Sequence, residues 1–282
     1  MPVTRWSYSM LLVYQITSVG TLLFSCFSFV FGITVGSFLN VIIDRVPREE
    51  SFLVGRSHCD YCKHTLAWYD LIPLFSFLAL LGRCRYCKKF IGYKYPIVEL
   101  TTGICFVTLL HPMVTGMTMG DISVTTLLWT LFNLYIFSTF IVIFYTDLWS
   151  GIIPDIVLIS AIGITFIAIL LQHPHQILSY VLSALGAMGF FLALFLGTRG
   201  KGMGFGDVKL AFFLGLLLGW PGIFLTIYAA FLTGAVVALI LVLWRRKRFF
   251  GGTIPFGPFL VLGALVAWFW TPLLWQKILG MF

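Results

Sequence analysis

Asp147 ends the apolar run FIVIFYTD (140–147), and Asp207 opens DVKLAFFLG (207–215) directly behind the glycine run GMGFG (202–206). The 282-residue chain has only ten acidic residues. A carboxylate inside hydrocarbon costs about 2.5–3.5 kcal/mol on insertion scales, so an acid kept at the edge of such a run is a candidate for chemistry. For a pair of them, the chemistry is acid–base work on an amide. Two carboxylates held close together cannot both ionise, so they share a proton; one activates water while the other protonates the leaving amine. Two more aspartates lie at ends of apolar runs. Asp44 reads as an interfacial residue, and Asp155 in IIPD (152–155) as one that caps or orients the next helix. Position alone leaves Asp147 and Asp207 balanced between an interfacial and a catalytic reading. Lys209 either stabilises charge near the pair or snorkels to the interface, and snorkelling is favoured. No other catalytic pattern competes. Neither G-x-S-x-G nor H-E-x-x-H occurs, and GMGFG lacks the preceding strand that a phosphate-binding glycine loop needs.

A second constellation is CDYC (59–62) and CRYC (84–87), with 21 residues between the pairs. Zinc favours four thiolates in a tetrahedron, and each C-x₂-C turn offers two sulfurs to one ion. The spacer only slightly exceeds the usual range of about 15–20 residues. Cys59, Cys62, Cys84 and Cys87 therefore read as a structural zinc site, closed to water or substrate. Metal binding would supply much of the folding free energy of so small a module. Two disulfides are the alternative, but a cytoplasmic placement, argued below, is reducing. A redox C-x-x-C is a weaker one, because no βαβ pattern surrounds it. His58 and His64 read as surface residues, with a supporting contact to the cluster left open. Cys26 and Cys105 lie in apolar runs and read as small buried hydrophobes.

A membrane fold must position these groups. Residues are 60% hydrophobic and 10% charged, against about 25% charged in soluble domains, and the mean hydropathy is +1.02. Several apolar runs approach the ~20 residues a spanning helix needs. They do not alternate as the strands of a barrel would. The sequence predicts an all-α polytopic membrane protein with about eight transmembrane segments, near 18–43, 96–114, 124–146, 153–171, 177–197, 208–219, 222–244 and 256–276. GWPG (219–222) supplies the turn between the sixth and seventh. The first apolar run, from about 11 to 43, is longer than a signal core and is expected to be retained. A polar insert, 45–95, separates the first two segments. Its LIPLFSFLALLG stretch (71–82) is too short to span, so it packs on the insert or lies on the membrane surface. No low-complexity tract and no regular internal repeat is apparent.

Sixteen of the eighteen Lys and Arg residues fall in three places: the insert, the loop carrying Arg199, Lys201 and Lys209, and RRKR (245–248). Only Arg5 and Lys277 lie elsewhere. Eight crossings with the N-terminus outside put all sixteen on the cytoplasmic side. That accounts for the net charge of +8 without nucleic acid, and it puts Asp147 and Asp207 at one membrane face. The organisation expected is a first span (1–44), a cytoplasmic tetracysteine zinc module (45–95) and a seven-helix bundle (96–282).

Four stretches in order carry a resemblance. GSFLNVIIDRVP (36–47), the tetracysteine insert closing with GRCRYCKKFIGYKYPIVELTTG (82–103), DLWSGIIPD (147–155) and GMGFGDVKL (202–210) resemble the motifs of type IV prepilin peptidases. These are the leader peptidases of type IV pili, type II secretion and competence pseudopili. The resemblance covers most of the chain. One departure is CDYC, where the family usually has proline after the first cysteine; no ligand is lost by it. Family members are similar in mechanism to presenilin-type GxGD membrane aspartyl proteases. The resemblance therefore implies Asp207, behind Gly204, Phe205 and Gly206, as one catalytic aspartate and Asp147 as the other. Asp155 falls on a non-catalytic position of the same motif, and Asp44 where the family has no catalytic carboxylate.

It further implies cleavage of the short basic leader of prepilins and pseudopilins after a glycine, at the cytoplasmic face of the inner membrane. N-methylation of the new terminus with S-adenosylmethionine follows in members with the tetracysteine insert. Glu99, in YPIVE (95–99), stands between holding a cationic or amine group and forming a structural ion pair. The glycines before Asp207 would admit an extended peptide backbone. The rival readings are a transporter, since broken helices and intramembrane acids also build ion sites, and a scaffold for secretion assembly. Neither accounts for the zinc module and the four ordered motifs.

Overall fold

A computed structural model describes residues 4–115, 123–200, 202–243 and 255–279. Within them the chain is helical, with no strand and two isolated bridges. Its helices are α1 (Thr4–Arg45), the short α2 (Phe75–Ala79), α3 (Lys94–Thr115), α4 (Val124–Ser150), α5 (Asp155–Gln172), α6 (Ile177–Gly197), α7 (Phe205–Leu243) and α8 (Gly257–Leu279). Among the described residues, five stretches are long and apolar enough to cross a membrane: Val19–Arg48, Val124–Ser150, Asp155–Gln172, Pro174–Gly197 and Phe205–Leu241. Gly257–Thr271 is a shorter apolar helix. The protein is an integral membrane protein. Helices suit it because an unpaired backbone group in hydrocarbon costs several kcal/mol, and a helix satisfies its own. RRKR (245–248) and Lys201 lie outside the described residues.

α7 is two arms. Gly219 (φ 60°, ψ −170°) and Trp220 (φ −85°, ψ 137°) leave the helical region, and Pro221 brings no N–H to the ladder. Contacts along α6 show that the chain reverses there. Phe195 meets Phe205, Gly215 lies against Ala184 and Gly219 against Tyr180. Past the break, Phe231 returns to Phe190 and Phe191. Divided at the expected GWPG turn, the long helices follow the expected order, with α1 beginning well before residue 18.

The chain forms two compact units, Met1–Ile141 and Val142–Phe282. In the first, α1 and α3 cross in close contact. A methyl group on Gly36 would sit 2.8 Å from Glu99 Cα, and one on Gly32 the same distance from Gly103 Cα. Small residues four apart let helix backbones meet in this way within lipid. The 71–82 stretch packs on the insert. Leu74 N–H donates to Glu99 Oε2 at 2.9 Å, and Phe77 lies 6.0 Å from the Tyr93 ring. Phe75, Leu78 and Leu81 remain exposed. Cys26 is exposed and Cys105 half-buried, not buried as the sequence suggested. In lipid an apolar side chain gains nothing by turning inward, so an apolar run does not imply burial. In the second unit, Ile169, Ala184 and Leu216 form a core that joins α5, α6 and the first arm of α7.

Candidate functional site

Asp147 lies one turn before the end of α4. Gly151 takes the left-handed conformation there, φ 65°, and its N–H bonds back to the Asp147 carbonyl at 2.9 Å. The Asp147 side chain is buried, and its Oδ2 accepts the Gly257 N–H at 2.9 Å. That N–H is one of the donors left free at the start of a helix, here α8. Phe256 fixes this end, with ring centroids 6.0 Å from Phe191 and 5.2 Å from Phe231.

Asp207 is buried too. It is the third residue of α7, and its Oδ2 accepts the Gly204 N–H at 3.2 Å. Its own N–H donates to the Gly204 carbonyl, also at 3.2 Å. This is the carboxylate half of a capping box, with a negative group at the positive end of a helix. The two carboxyls are close enough for the charge of one to bear on the other.

Two contacts join the segments that carry them. Gly206 lies against Ile153, where an added Cβ would come within 3.2 Å. Lys209 Nζ holds both oxygens of Asp155, at 2.7 and 2.8 Å, and also lies 5.4 Å from the Phe205 ring centre. Lys209 is thus engaged by Asp155. Asp155 sits in the first turn of α5 without capping it, the N-cap being Pro154, and it orients the helix through this ion pair. Gly204 faces open space, with no atom nearer than 3.9 Å to an added Cβ. Gly257 was not visible as a site residue in the sequence. The Gly-Pro pair at 257–258 marks a helix start, but nothing in it points to Asp147, 110 residues earlier.

The four cysteines of the insert converge. All are free thiols, and their Sγ atoms lie within 4.8 Å of one another. Zn–S bonds of about 2.3 Å in a tetrahedron set sulfurs roughly 3.8 Å apart, and Cys59 and Cys87 stand at 3.8 Å. The donor set and spacing fit a metal ion. Burial disfavours the Cys84 thiolate, but the N–H groups of Cys87 and Tyr86 and the neighbouring thiols outweigh it and bring this thiol down to about 7.

Two equivalent knuckles hold the sulfurs. Cys59 N–H bonds to the His64 carbonyl at 3.0 Å, and Cys84 N–H to that of Lys89 at 2.9 Å. Lys63 and Lys88 turn the chain back with φ 56° and 59°. Leu66 N–H closes on Ser57, and Ile91 N–H on Gly82, both at 2.8 Å. The insert therefore contains a local duplication, 57–66 and 82–91, although the sequence suggested no regular repeat. The His64 ring lies tilted against Tyr86, ring centres 3.7 Å apart.

Asp44 accepts the Tyr95 hydroxyl at 2.6 Å. Glu99 is buried, at 7% exposure. Among the described residues no cation forms an ion pair with it.

Two family models match the chain. One is described as the bacterial peptidase A24 N-terminal domain, over residues 30–113, and the other as the type IV leader peptidase family, over residues 134–239. Among curated relatives, the chain is similar to a protein of Aeromonas hydrophila, 32% identical over 86% of this chain and 89% of the relative. It is 29% identical to one of Pseudomonas aeruginosa, over 85% of this chain and 88% of that protein. A third, from Myxococcus xanthus, is 34% identical over 78% of this chain, which spans 64% of that protein's length. All three are named prepilin leader peptidase/N-methyltransferase. No solved structure matches the chain.

Proposed function

The chain belongs to the type IV leader peptidase family, and on that footing we propose that it is a membrane aspartyl endopeptidase whose catalytic pair is Asp147 and Asp207. The observation that carries this reading is the pairing itself. Two buried carboxyls from separate helices lie within electrostatic reach of one another, each held by the backbone N–H of a glycine. The substrate is a prepilin or pseudopilin, cut between its short basic leader and the mature chain. In hydrolysis one carboxylate takes a proton from water as the oxygen attacks the scissile carbonyl carbon. The other carboxyl gives its proton to the departing nitrogen as the C–N bond breaks. Gly257 N–H orients Asp147, Gly204 N–H orients Asp207, and the open face of Gly204 lets a peptide backbone approach.

Zinc is the metal that suits the tetracysteine cluster, bound by Cys59, Cys62, Cys84 and Cys87. Bound there, it ties the two knuckles into one module and takes no part in the peptidase chemistry. The second activity is N-methylation of the new N-terminus, with S-adenosylmethionine as methyl donor; the relatives' shared name supports it. The distribution of Lys and Arg supports an inner-membrane location with the N-terminus outside and the insert and aspartates at the cytoplasmic face. It also supports the division into a first span (1–44), tetracysteine module (45–95) and bundle (96–282). A transporter or assembly scaffold gives no account of the paired aspartates and the tetracysteine module together.

The test is direct. Purified protein is incubated with a prepilin, and the mass loss equal to the leader is followed. Asp147→Asn and Asp207→Asn should each lower cleavage by at least about 10²–10⁴-fold, the range for a lost acid or base. Cleavage retained in either single variant would remove that residue from the pair. Labelled S-adenosylmethionine in the same reaction reads the second activity.

A further inference from the structure

A groove of about 490 Å³ lies between α1 and α2 in the first unit. One wall is α1 between Ser25 and Ile33, and the other is Leu74, Phe75 and Leu78. Ser25 brings the one hydroxyl in this lining, and it donates within its own helix, to the Thr21 carbonyl at 2.8 Å. The groove is therefore apolar throughout.

Its level along α1 decides what fills it. α1 is long and apolar enough to span over Val19–Arg48, and Asp44 marks its polar end. Ile33 comes eleven residues before Asp44, about 16 Å along the helix at 1.5 Å per residue. Hydrocarbon is about 30 Å thick, so this wall lies well inside it. α3 gives a second measure. Leu74 N–H bonds to Glu99 Oε2 at 2.9 Å, and Glu99 lies five residues into α3 from Lys94, about 7.5 Å.

A backbone at such depth must find its hydrogen bonds inside the protein. The 71–82 stretch does so within itself. Ser76 N–H bonds to the Ile72 carbonyl at 3.1 Å, Leu80 N–H to Ser76 at 3.0 Å, Leu81 N–H to Leu78 at 3.1 Å and Gly82 N–H to Phe77 at 2.8 Å. Its side chains match the depth. Phe75, Leu78 and Leu81 stand exposed, and in water such a patch is a liability. Leu22, Cys26 and Val30 form one row along α1 and are exposed too. The last two also line the groove, so the lipid-facing row of α1 runs into it.

We propose that 71–82 is a re-entrant segment that dips into the hydrocarbon beside α1, with phospholipid acyl chains filling the groove and covering Phe75, Leu78 and Leu81. The second knuckle follows directly, and its exposed Arg83, Lys88 and Lys89 suit anionic headgroups above those chains. The tetracysteine module is then seated in the bilayer through α2, besides being tied to it by α1 and α3. This inference stands on the membrane fold and is independent of the catalytic pair.

The test uses full-length protein in vesicles of phosphatidylethanolamine and phosphatidylglycerol. A tracer phospholipid carries a diazirine midway along one acyl chain, and after irradiation labelled peptides are identified by mass. The row from Leu22 to Val30 is the internal control. Label on Phe75 and Leu78 is expected; a labelled control with none within 74–81 overturns the proposal. Label that vanishes when excess prepilin is added assigns the groove to the substrate's apolar helix and overturns the lipid assignment. A water-soluble maleimide gives the complementary reading, peptide by peptide. Leu53 and Leu78 are 79% and 69% exposed, so Leu53→Cys and Leu78→Cys would react alike if both faced water. Leu78→Cys should react at least about tenfold more slowly, because water is absent from the hydrocarbon. Equal rates overturn the proposal.

Discussion

Replacing Gly257 with alanine would place a methyl group 2.5 Å from Asp147 Oδ2 and 3.0 Å from its Cγ. Ordinary contact begins at 3.4 Å, so either the carboxyl retreats by about 1 Å or the start of α8 backs away. Phe256 resists the second movement, being packed against both Phe191 and Phe231. Retreat stretches the 2.9 Å bond from Gly257 N–H out of hydrogen-bond range. A hydrogen bond to a charged group is worth about 1.5–3 kcal/mol. Independently, a misplacement of about 1 Å at a catalytic group costs on the order of 10²-fold in rate, which is about 2.7 kcal/mol. The two figures agree. Gly257→Ala should lower kcat for leader cleavage by roughly 100-fold while KM changes little, because the lost contact is to Asp147 and not to substrate. The assay is single-turnover cleavage of a prepilin in reconstituted vesicles, with the released leader quantified by mass. Cooperative thermal unfolding of the variant keeps a folding defect apart from a catalytic one. A kcat within about threefold of wild type would refute the claim that this N–H sets the carboxyl.

Gly204→Ala is the contrasting variant: its added methyl meets nothing nearer than 3.9 Å in the free protein. Its unfolding temperature should match wild type while KM for prepilin rises, since only an approaching peptide backbone feels the methyl; an unchanged KM removes Gly204 from the approach route. Lys209→Ala and Asp155→Asn break an ion pair whose side chains are 38% and 58% exposed. Such pairs are worth about 1 kcal/mol or less, so cleavage should stay within about fivefold of wild type, and a loss as deep as that of the aspartate variants would make the pair catalytic. Cys62→Ser should drop zinc from one ion per chain to near none by elemental mass spectrometry; full occupancy in that variant contradicts a four-thiolate site.

Much of this was legible in the chain because hydrocarbon leaves few choices. Apolar runs become helices, and the GWPG turn is where α7 breaks. Asp147 and Asp207 stood out because acids at such positions are rare, and Cys59, Cys62, Cys84 and Cys87 because thiolate spacing is a strong signal. Pairwise geometry was harder. Asp155 and Lys209 each drew notice, but nothing in the chain joins two residues 54 apart. Gly257 acts through a backbone N–H, which every non-proline residue has, so no side-chain type announces it. The duplicated knuckle is only ten residues long; its copies share C-x-Y-C-K, a run too short to announce a repeat until the matching hydrogen bonds are seen. Cys26 misled because an apolar run looks the same whether it faces protein or lipid.

The first arm of α7 has a consequence for water. From 205 to 218 it holds 14 residues, about 21 Å at 1.5 Å per residue, against a hydrocarbon thickness of about 30 Å. The turn at its far end carries the exposed Trp220, and its Gly219 lies against Tyr180; both aromatic side chains are of the kind that settle at headgroup level. With that end anchored, the shortfall of roughly 9 Å falls at the end that carries Asp207, or is met by a bilayer pinched around the arm. In either arrangement the polar surface of the membrane dips toward the aspartates. The water that hydrolysis consumes then has only a shallow dent to cross, and the thickness of the surrounding lipid becomes a control on how deep that dent is.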